Sequence, residues 1–375
     1  MRIAVNTRLL INSKLDGIGW FTAETMRIIV GNHPDVEFIF FFDRKPDPHF
    51  IFGPNVTPVV LCPQARHPLL WYAYFQWSVA SALRSYHPDV YLTPDGYMPL
   101  PCTTPTLAVV HDLNFEHDDS YLRPSHQRYM KRYFPRFAHG ASRLATVSEY
   151  SKADIAATYG IDSEAIDVVY NGANSHYTPR TAAQQEATRL RLTAGQPFFL
   201  FVSTILKRKN LHGLLRAFDL YKERTAAPDK LVVVGNRAWW QEPLRSTYET
   251  MRHRADVVFI GHADVGYLAD IMAAARALVY PSFFEGFGIP IIEAFSAGTP
   301  VITSNVTSMP EIAADAALLI DPHSPQSIAD AMQLATQPEV AANLVAKGHK
   351  QVAHYSWERT ANLLWQSMMK VLDRQ

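Results

Sequence analysis

Residues 280–305 read YPSFFEGFGIPIIEAFSAGTPVITSN, and they fix the class of fold open to the chain. The apolar run ALVY at 277–280 has the composition of a strand, and Pro281 ends it. The loop that follows holds Gly286 and Gly288, which can adopt φ > 0 or let a ligand approach the backbone. Pro290 suits the first turn of a helix, and Gly298 suits the stop after it. Strand, glycine loop and short helix in this order are the βα unit of a parallel sheet.

The run is apolar and glycine-rich except for two carboxylates, Glu285 in the loop and Glu293, expected in the first helical turn. In open parallel sheets ligands bind at the carboxyl ends of the strands, and a helix amino terminus offers N–H groups and partial positive charge to phosphate. Carboxylates placed there suit the vicinal hydroxyls of a ribose or hexose. Taken singly, each has a plainer reading, Glu293 as a helix-dipole partner and Glu285 as a solvated loop residue.

The same rhythm of buried strand and helix runs through the chain. RIAVNT (2–7), VEFIFFF (36–42), VTPVVL (56–61), DVYLTP (89–94), TLAVVHD (106–112), RLATVS (143–148) and IDVVYNG (166–172) precede a polar, turn-rich break. FFLFVST (198–204), KLVVVG (230–235), DVVFIG (256–261), ALVYPS (277–282) and TPVITS (299–304) follow it. Continuous apolar strands between helices belong to parallel sheets covered on both faces. At 375 residues the chain exceeds what one core usually holds. The reading is α/β with two doubly wound, Rossmann-like domains, 1–180 and 181–355, and a Ser-capped terminal helix within 356–375 that joins the first.

Thirty-five basic residues against 35 acidic ones leave no net charge, so nothing global draws the chain to nucleic acid. Cys62 and Cys102 are too few for a disulfide framework. With no leader-like start and no apolar run of about 18 residues, the expectation is a cytoplasmic protein. The aromatic stretch HPLLWYAYFQWSVASAL (67–83) reads as a buried helix, with a membrane-surface or lipid-acceptor face as the minority reading, hence peripheral contact with the inner face of the membrane.

Other polar clusters fall at strand ends. Lys207, Arg208 and Lys209 stand at the start of a helix, where cations oppose the macrodipole but suit a diphosphate. Gly17 and Gly19 open the first helix without completing a GxGxxG fingerprint, since Thr22 takes the third glycine's place. His111 and Asp112 end another strand, where either can bond a sugar hydroxyl or tune a proton transfer. Ser148 reads as a helix cap and Asn171–Gly172 as a turn. No zinc spacing, P-loop lysine, HExxH or GxSxG elbow is present.

The order of these features, a glycine loop, HD, SEYSK, YNG, RKN and FFEGFGIPIIEAFSAGTPVITSN, resembles the retaining glycosyltransferases of family 4 over essentially the whole chain. The resemblance implies the GT-B fold, two Rossmann-like domains facing a central cleft. It implies that Glu293 holds the ribose of a nucleotide-sugar, that Glu285 holds the transferred hexose, and that the backbone of Phe287, Gly288 and Ile289 meets sugar and distal phosphate. Arg208 and Lys209 would neutralise the diphosphate, Gly17 and Gly19 would approach it from the other domain, and His111 would lie beside the sugar on the acceptor side. Ser203–Thr204 stand where many members have Gly-Arg, so Lys207 or Arg208 would take over that cation's part.

The implied chemistry is front-face transfer of a hexose with retention, mannose favoured from the likeness to bacterial polysaccharide mannosyltransferases. The donor would be a GDP-sugar over a UDP-sugar, the acceptor a glycan or lipid-linked saccharide, with no metal or other cofactor required. A sugar-nucleotide epimerase or phosphorylase of the same architecture, and a catalytically silent sugar-nucleotide-binding scaffold, are the alternatives.

Overall fold

The structure, a computed structural model, describes residues 1–12, 15–118, 122–236 and 240–373. The last two positions of the expected terminal segment, 374 and 375, lie outside the described residues. The chain divides into two compact units, Met1–Gly172 with Ser356–Gln375, and Ala173–Tyr355.

Among the described residues the first unit holds a seven-stranded sheet. Its strands are β1 (Arg2–Asn6), β2 (Glu37–Phe42), β3 (Val56–Val60), β4 (Val90–Thr93), β5 (Thr106–Val109), β6 (Arg143–Thr146) and β7 (Ile166–Val168). Their order is β3-β2-β1-β4-β5-β6-β7, and every neighbouring pair is parallel. Every residue of β4, β5 and β6 is buried, as expected of strands covered by helices on both faces.

The second unit repeats the design with β8 (Phe198–Val202), β9 (Lys230–Val234), β10 (Val257–Gly261), β11 (Ala277–Tyr280), β12 (Val301–Ser304) and β13 (Ala317–Ile320). This parallel sheet runs β10-β9-β8-β11-β12-β13. In each sheet the winding direction reverses once, between β1 and β4 and between β8 and β11. Loops leaving the two strands at such a reversal diverge to opposite faces and open a crevice at their carboxyl ends. The expected pair of parallel α/β domains is therefore formed, with β13 added at an edge where no strand was expected.

Two helices are informative. The terminal one, Trp357–Leu372, starts at Ser356, whose side chain accepts from Arg359 N at 3.2 Å. It buries Trp357, Ala361, Leu364, Met368 and Val371 at helical spacing and packs in the first unit against the helix Gly17–Asn32. The aromatic helix is α-helical over Pro68–Ala73 and Ala80–Tyr86, with a π-helical segment, Tyr74–Val79, between. Tyr74, Phe75 and Val79 are buried, but Leu69, Tyr72 and Trp77 are exposed, so the expected buried helix is buried on one face only. Among the described residues no helix is long and apolar enough to cross a membrane.

Gly172 lies close against the start of the terminal helix: a Cβ there would stand 2.4 Å from Trp357 N and 2.7 Å from its indole carbons. Gly31, exposed near the end of the first long helix, has nothing within 4 Å of that point. Thermal or urea unfolding should show Gly172→Ala destabilised by more than about 1 kcal/mol. Gly31→Ala should gain roughly 0.5 kcal/mol from helix propensity.

Candidate active site

The loops leaving β8 and β11 flank the reversal point of the second sheet, and one residue joins them. Asn210 sits at φ 56°, a left-handed conformation that asparagine tolerates. Its Oδ1 accepts from Gly213 N at 3.0 Å, capping the helix Leu211–Thr225. Its Nδ2 donates to the carbonyls of Pro281 (3.1 Å) and Pro322 (2.7 Å). Phe283 N completes the join by donating to Arg208 O at 2.8 Å. Gly213 is demanded by this cap, since a Cβ would lie 2.5 Å from Asn210 Oδ1.

That join brings three of the expected residues into contact. Lys209 Nζ donates to Glu285 Oε1 at 2.5 Å and to the Tyr280 hydroxyl at 2.7 Å. Arg208 Nη1 donates to Glu285 Oε2 at 3.1 Å and to Phe284 O at 2.9 Å. Lys209 and Glu285 are only 8% and 6% exposed. Burial alone would raise the pKa of Glu285, but the charges of Lys209 and Arg208 outweigh it and hold the carboxyl at about 2. The group is an anion at any ordinary pH, and two cations against one carboxylate leave the cluster positive. Lys207, in the same turn, is exposed.

Hydroxyls from β12 and the segment after it hold the glycine loop. Thr303 Oγ1 donates to Tyr280 O at 3.1 Å, Ser304 Oγ to Ser282 O at 2.7 Å, and Ser308 Oγ lies 2.9 and 3.1 Å from the carbonyls of Glu285 and Phe287. Glu285 N donates to Thr307 Oγ1 at 3.3 Å. The ring of Phe287 is core, buried edge-on against Tyr355 at 5.6 Å, so only its backbone is left for a ligand. Gly288 has φ +99°, and a Cβ would also meet Ile291 at 3.0 Å, so glycine is required where the helix Ile289–Ala297 begins. First-turn amides of a helix have no intrahelical acceptor, which makes this a ready anion site.

Glu293 lies in the second turn of that helix, one turn later than expected, because the helix starts at Ile289. Burial pushes its carboxyl up to about 7, and the hydrogen bond from Tyr177 only partly offsets this. The Tyr177 hydroxyl is itself pushed up by burial and by the facing carboxylate.

The remaining expected residues belong to the first unit. Gly17 is the exposed first residue of its helix, while Gly19 is buried; a Cβ on Gly19 would lie 3.0 Å from Leu15 and 3.2 Å from Leu9 O. Asp16 caps the helix by accepting from Gly19 N at 2.9 Å. Phe21 of the same helix meets the His111 ring edge-on at 5.0 Å. His111 Nε2 lies 2.8 Å from Pro94 O, and because a carbonyl only accepts, Nε2 carries the proton. Burial lowers the His111 pKa against the pull of Pro94 O and nearby carboxylates, so the ring is neutral with Nδ1 as an acceptor.

Sequence reasoning passed over Arg8 and Asp95, which pair at 2.7 Å at the first sheet's reversal point. Asn6 Nδ2 also donates to Asp95, at 2.8 Å, and the Arg8 guanidinium lies 4.9 Å from the Tyr97 ring centroid. Arg8 stands two residues past β1, and the argument that flagged Lys207–Lys209 would have flagged it. Tyr177, Tyr280 and Ser308 carried no local signal. Among the described residues no group of His, Cys, Asp and Glu could hold a metal ion.

Comparison with known proteins identifies the family. Residues 16–177 match the family described as Glycosyltransferase Family 4, and residues 184–351 match Glycosyl transferases group 1. O-antigen chain mannosyltransferase B of Escherichia coli is 32% identical over 298 residues, 78% of this chain and 78% of that one. O-antigen chain mannosyltransferase RfbU of Salmonella typhimurium is 27% identical over 83% of this chain and 82% of its own. Among solved structures, sucrose-phosphate synthase from Thermosynechococcus elongatus superposes with a TM-score of 0.78 over the full length of both chains at 19% identity, a likeness of fold. With family matches on both units and a relative of this identity spanning most of both chains, the protein belongs to the group 1 and family 4 glycosyltransferases and has their GT-B fold.

Proposed function

We propose that the protein is a retaining hexosyltransferase that moves mannose from GDP-mannose to a glycan or lipid-linked saccharide. The observation that carries the chemistry is the buried Lys209–Glu285–Arg208 cluster at the edge of β8 and β11. The mannose preference rests on the two O-antigen mannosyltransferase relatives.

In this reading the donor diphosphate lies against Arg208, Lys209 and the amino terminus of the Ile289–Ala297 helix. Cations and oriented amides stabilise the charge that grows on the leaving phosphate, where preorganised donors act most strongly. A carboxylate has about four lone-pair sites, so the two ion pairs of Glu285 leave acceptor capacity for hexose hydroxyls. The C1–O bond to phosphate breaks as an oxocarbenium-like centre forms. The acceptor oxygen bonds C1 on the same face, and its proton passes to the departing phosphate oxygen. Glu293 takes the ribose hydroxyls, and His111 Nδ1 accepts a sugar hydroxyl.

Lys209→Ala should lower turnover about 10²–10³-fold, the range for loss of one preorganised donor. Because it leaves the buried Glu285 carboxylate with Arg208 as its one remaining paired cation of the two, it should also destabilise the fold, by less than the ~3–5 kcal/mol of a fully unpaired buried charge. Lys209→Ala combined with Glu285→Gln should recover much of that stability but none of the turnover. If turnover persists in either variant with every donor the wild type uses, the site assignment fails.

A thermal-shift panel checks the donor class, since a ligand bound only by the folded state raises its midpoint. GDP and GDP-mannose should raise it more than UDP and UDP-glucose. A response to uridine nucleotides alone would overturn the GDP preference and leave the transferase reading standing.

Ribose hydroxyls donate more strongly to a carboxylate than to a carboxylic acid, which has less acceptor capacity and no charge. Affinity for the nucleoside diphosphate should therefore rise as pH rises through about 7, the pKa of Glu293. The raised pKa also means that the folded state binds the extra proton between the unfolded and folded values, so Glu293 costs stability as pH rises through that window. Glu293→Gln should flatten this part of both profiles, and using it as the reference cancels the titration of the ligand itself. Superimposable binding profiles for the two proteins would remove Glu293 from the ribose site.

A further inference from the structure

The reversal point of the first sheet carries a buried ion pair at the same place as that of the second. Strands β1 and β4 hold the positions that β8 and β11 hold in their own sheet, the order β3-β2-β1-β4 matching β10-β9-β8-β11. Arg8 follows β1 and Asp95 follows β4, as Lys209 follows β8 and Glu285 follows β11. Arg8 and Asp95 are 8% and 7% exposed, and Arg8 Nε donates to Asp95 Oδ2 at 2.7 Å. The guanidinium also lies over the rings of Tyr97 and Phe75, 4.9 and 5.6 Å from their centroids. Replacing a buried pair by apolar residues of similar volume is often neutral or stabilising, so stability is a poor account of this one.

What the pair controls is a turn. Gly96 N donates to Thr93 O at 3.3 Å, which makes Pro94 and Asp95 the central residues of a β-turn. The Pro94 carbonyl belongs to the central peptide, the one that reverses when such a turn passes from type I to type II. The type II form needs φ > 0 at Asp95, which Asp95 does not have. Its Oδ1 accepts from Asn6 Nδ2 at 2.8 Å and from Tyr97 N at 3.3 Å, and its Oδ2 from Arg8, so the carboxylate ties the turn to the end of β1. Pro94 O in turn accepts from His111 Nε2 at 2.8 Å. Among the described residues the His111 ring makes no other hydrogen bond, and Phe21 meets it edge-on.

We propose that Arg8 and Asp95 are positioning residues that hold the Pro94 carbonyl, and through it the His111 ring, with Nε2 protonated and Nδ1 left as an acceptor. Their effect on turnover rests on the role given to His111 in the proposed function; their hold on the ring does not.

Nuclear magnetic resonance of the full chain with isotopically labelled histidine reads the ring directly. Wild-type His111 should show Nε2 as the proton-bearing nitrogen, its hydrogen-bonded proton slow to exchange with water. Asp95→Asn must set an amide donor against Arg8 or against Asn6, and asparagine tolerates φ > 0, so the slow Nε2 proton should be lost. Arg8→Met combined with Asp95→Asn strands no charge; it should melt near the wild-type temperature and show the same loss. In both variants sugar transfer should fall about 10–100-fold, the range for losing a group that orients a metal-bound histidine. Affinity for whichever of GDP and UDP the wild type binds should not change. In a His111→Ala background, Asp95→Asn should lower turnover no further.

A wild-type ring without the slow Nε2 proton, or variants that keep it, would overturn the proposal. So would losses of turnover that add in full to that of His111→Ala, which would place the pair's effect elsewhere. Should Asp95→Asn alone fail to fold, the double variant decides by the same readings. If His111→Ala keeps full turnover while the double variant loses the Nε2 proton, the sugar-binding role of His111 fails and the positioning stands. If the wild type transfers no sugar from any donor, the transferase reading fails and the ring signal alone decides.

Discussion

A carboxylate that is 6% exposed must be paired, and the pairing of Glu285 with Lys209 and Arg208 governs the architecture of the second unit's site. An ion taken from water into a protein interior carries a penalty of several kcal/mol unless partners offset it. The partners here come from the loop after β8 and the carboxylate from the loop after β11, strands adjacent in space but far apart in sequence. The ion pairs therefore form only when both loops arrive in register. Asn210 enforces that register by bonding its own helix, the β11 loop and Pro322 at once. Gly213 follows from Asn210, because any larger residue would displace the cap.

The second constraint is backbone satisfaction. A loop running through buried surroundings leaves carbonyls to which no sheet or helix N–H donates, and each unmet one costs roughly 1–3 kcal/mol. Thr303, Ser304 and Ser308 supply the missing hydroxyls, fixing the carbonyls of Tyr280, Ser282, Glu285 and Phe287. The apolar strand TPVITS thus has a polar tail that acts on the neighbouring loop. A loop held at this many points cannot relax toward a ligand, which is the condition under which fixed dipoles and charges act at full strength.

This explains what the sequence made legible. Strands buried on both faces are continuous apolar runs, so nearly every strand, the βα unit at 277–298 and its helix stop at Gly298 could be read directly. β13 escaped because Ala317–Ile320 lacks β-branched residues before its last position and is only partly buried along most of its length. The aromatic helix was misjudged because aromatic density does not say which face each ring takes, and a π-helical segment shifts the phase of everything after it. Within the site, Arg208, Lys209, Glu285 and Glu293 were visible as charges out of place. Tyr177, Tyr280 and Ser308 were not, because each acts on a residue distant in sequence and looks locally like an ordinary core or turn residue.

The two carboxylates of the glycine run show why type and spacing alone underdetermine chemistry. Glu285 and Glu293 share one loop-helix segment, yet one is held at about 2 and the other pushed up to about 7. Burial acts on both in the same direction, and the difference is that Glu285 faces two cations while Glu293 faces a neutral tyrosine hydroxyl. Glu285 is consequently a fixed negative charge, a hydroxyl acceptor that also anchors the cations beside it. Glu293 stays near the midpoint of its titration at neutral pH, where hydrogen-bond donors from a ligand would favour its ionised form. The segment thus holds one carboxylate permanently charged and keeps the other responsive to what binds.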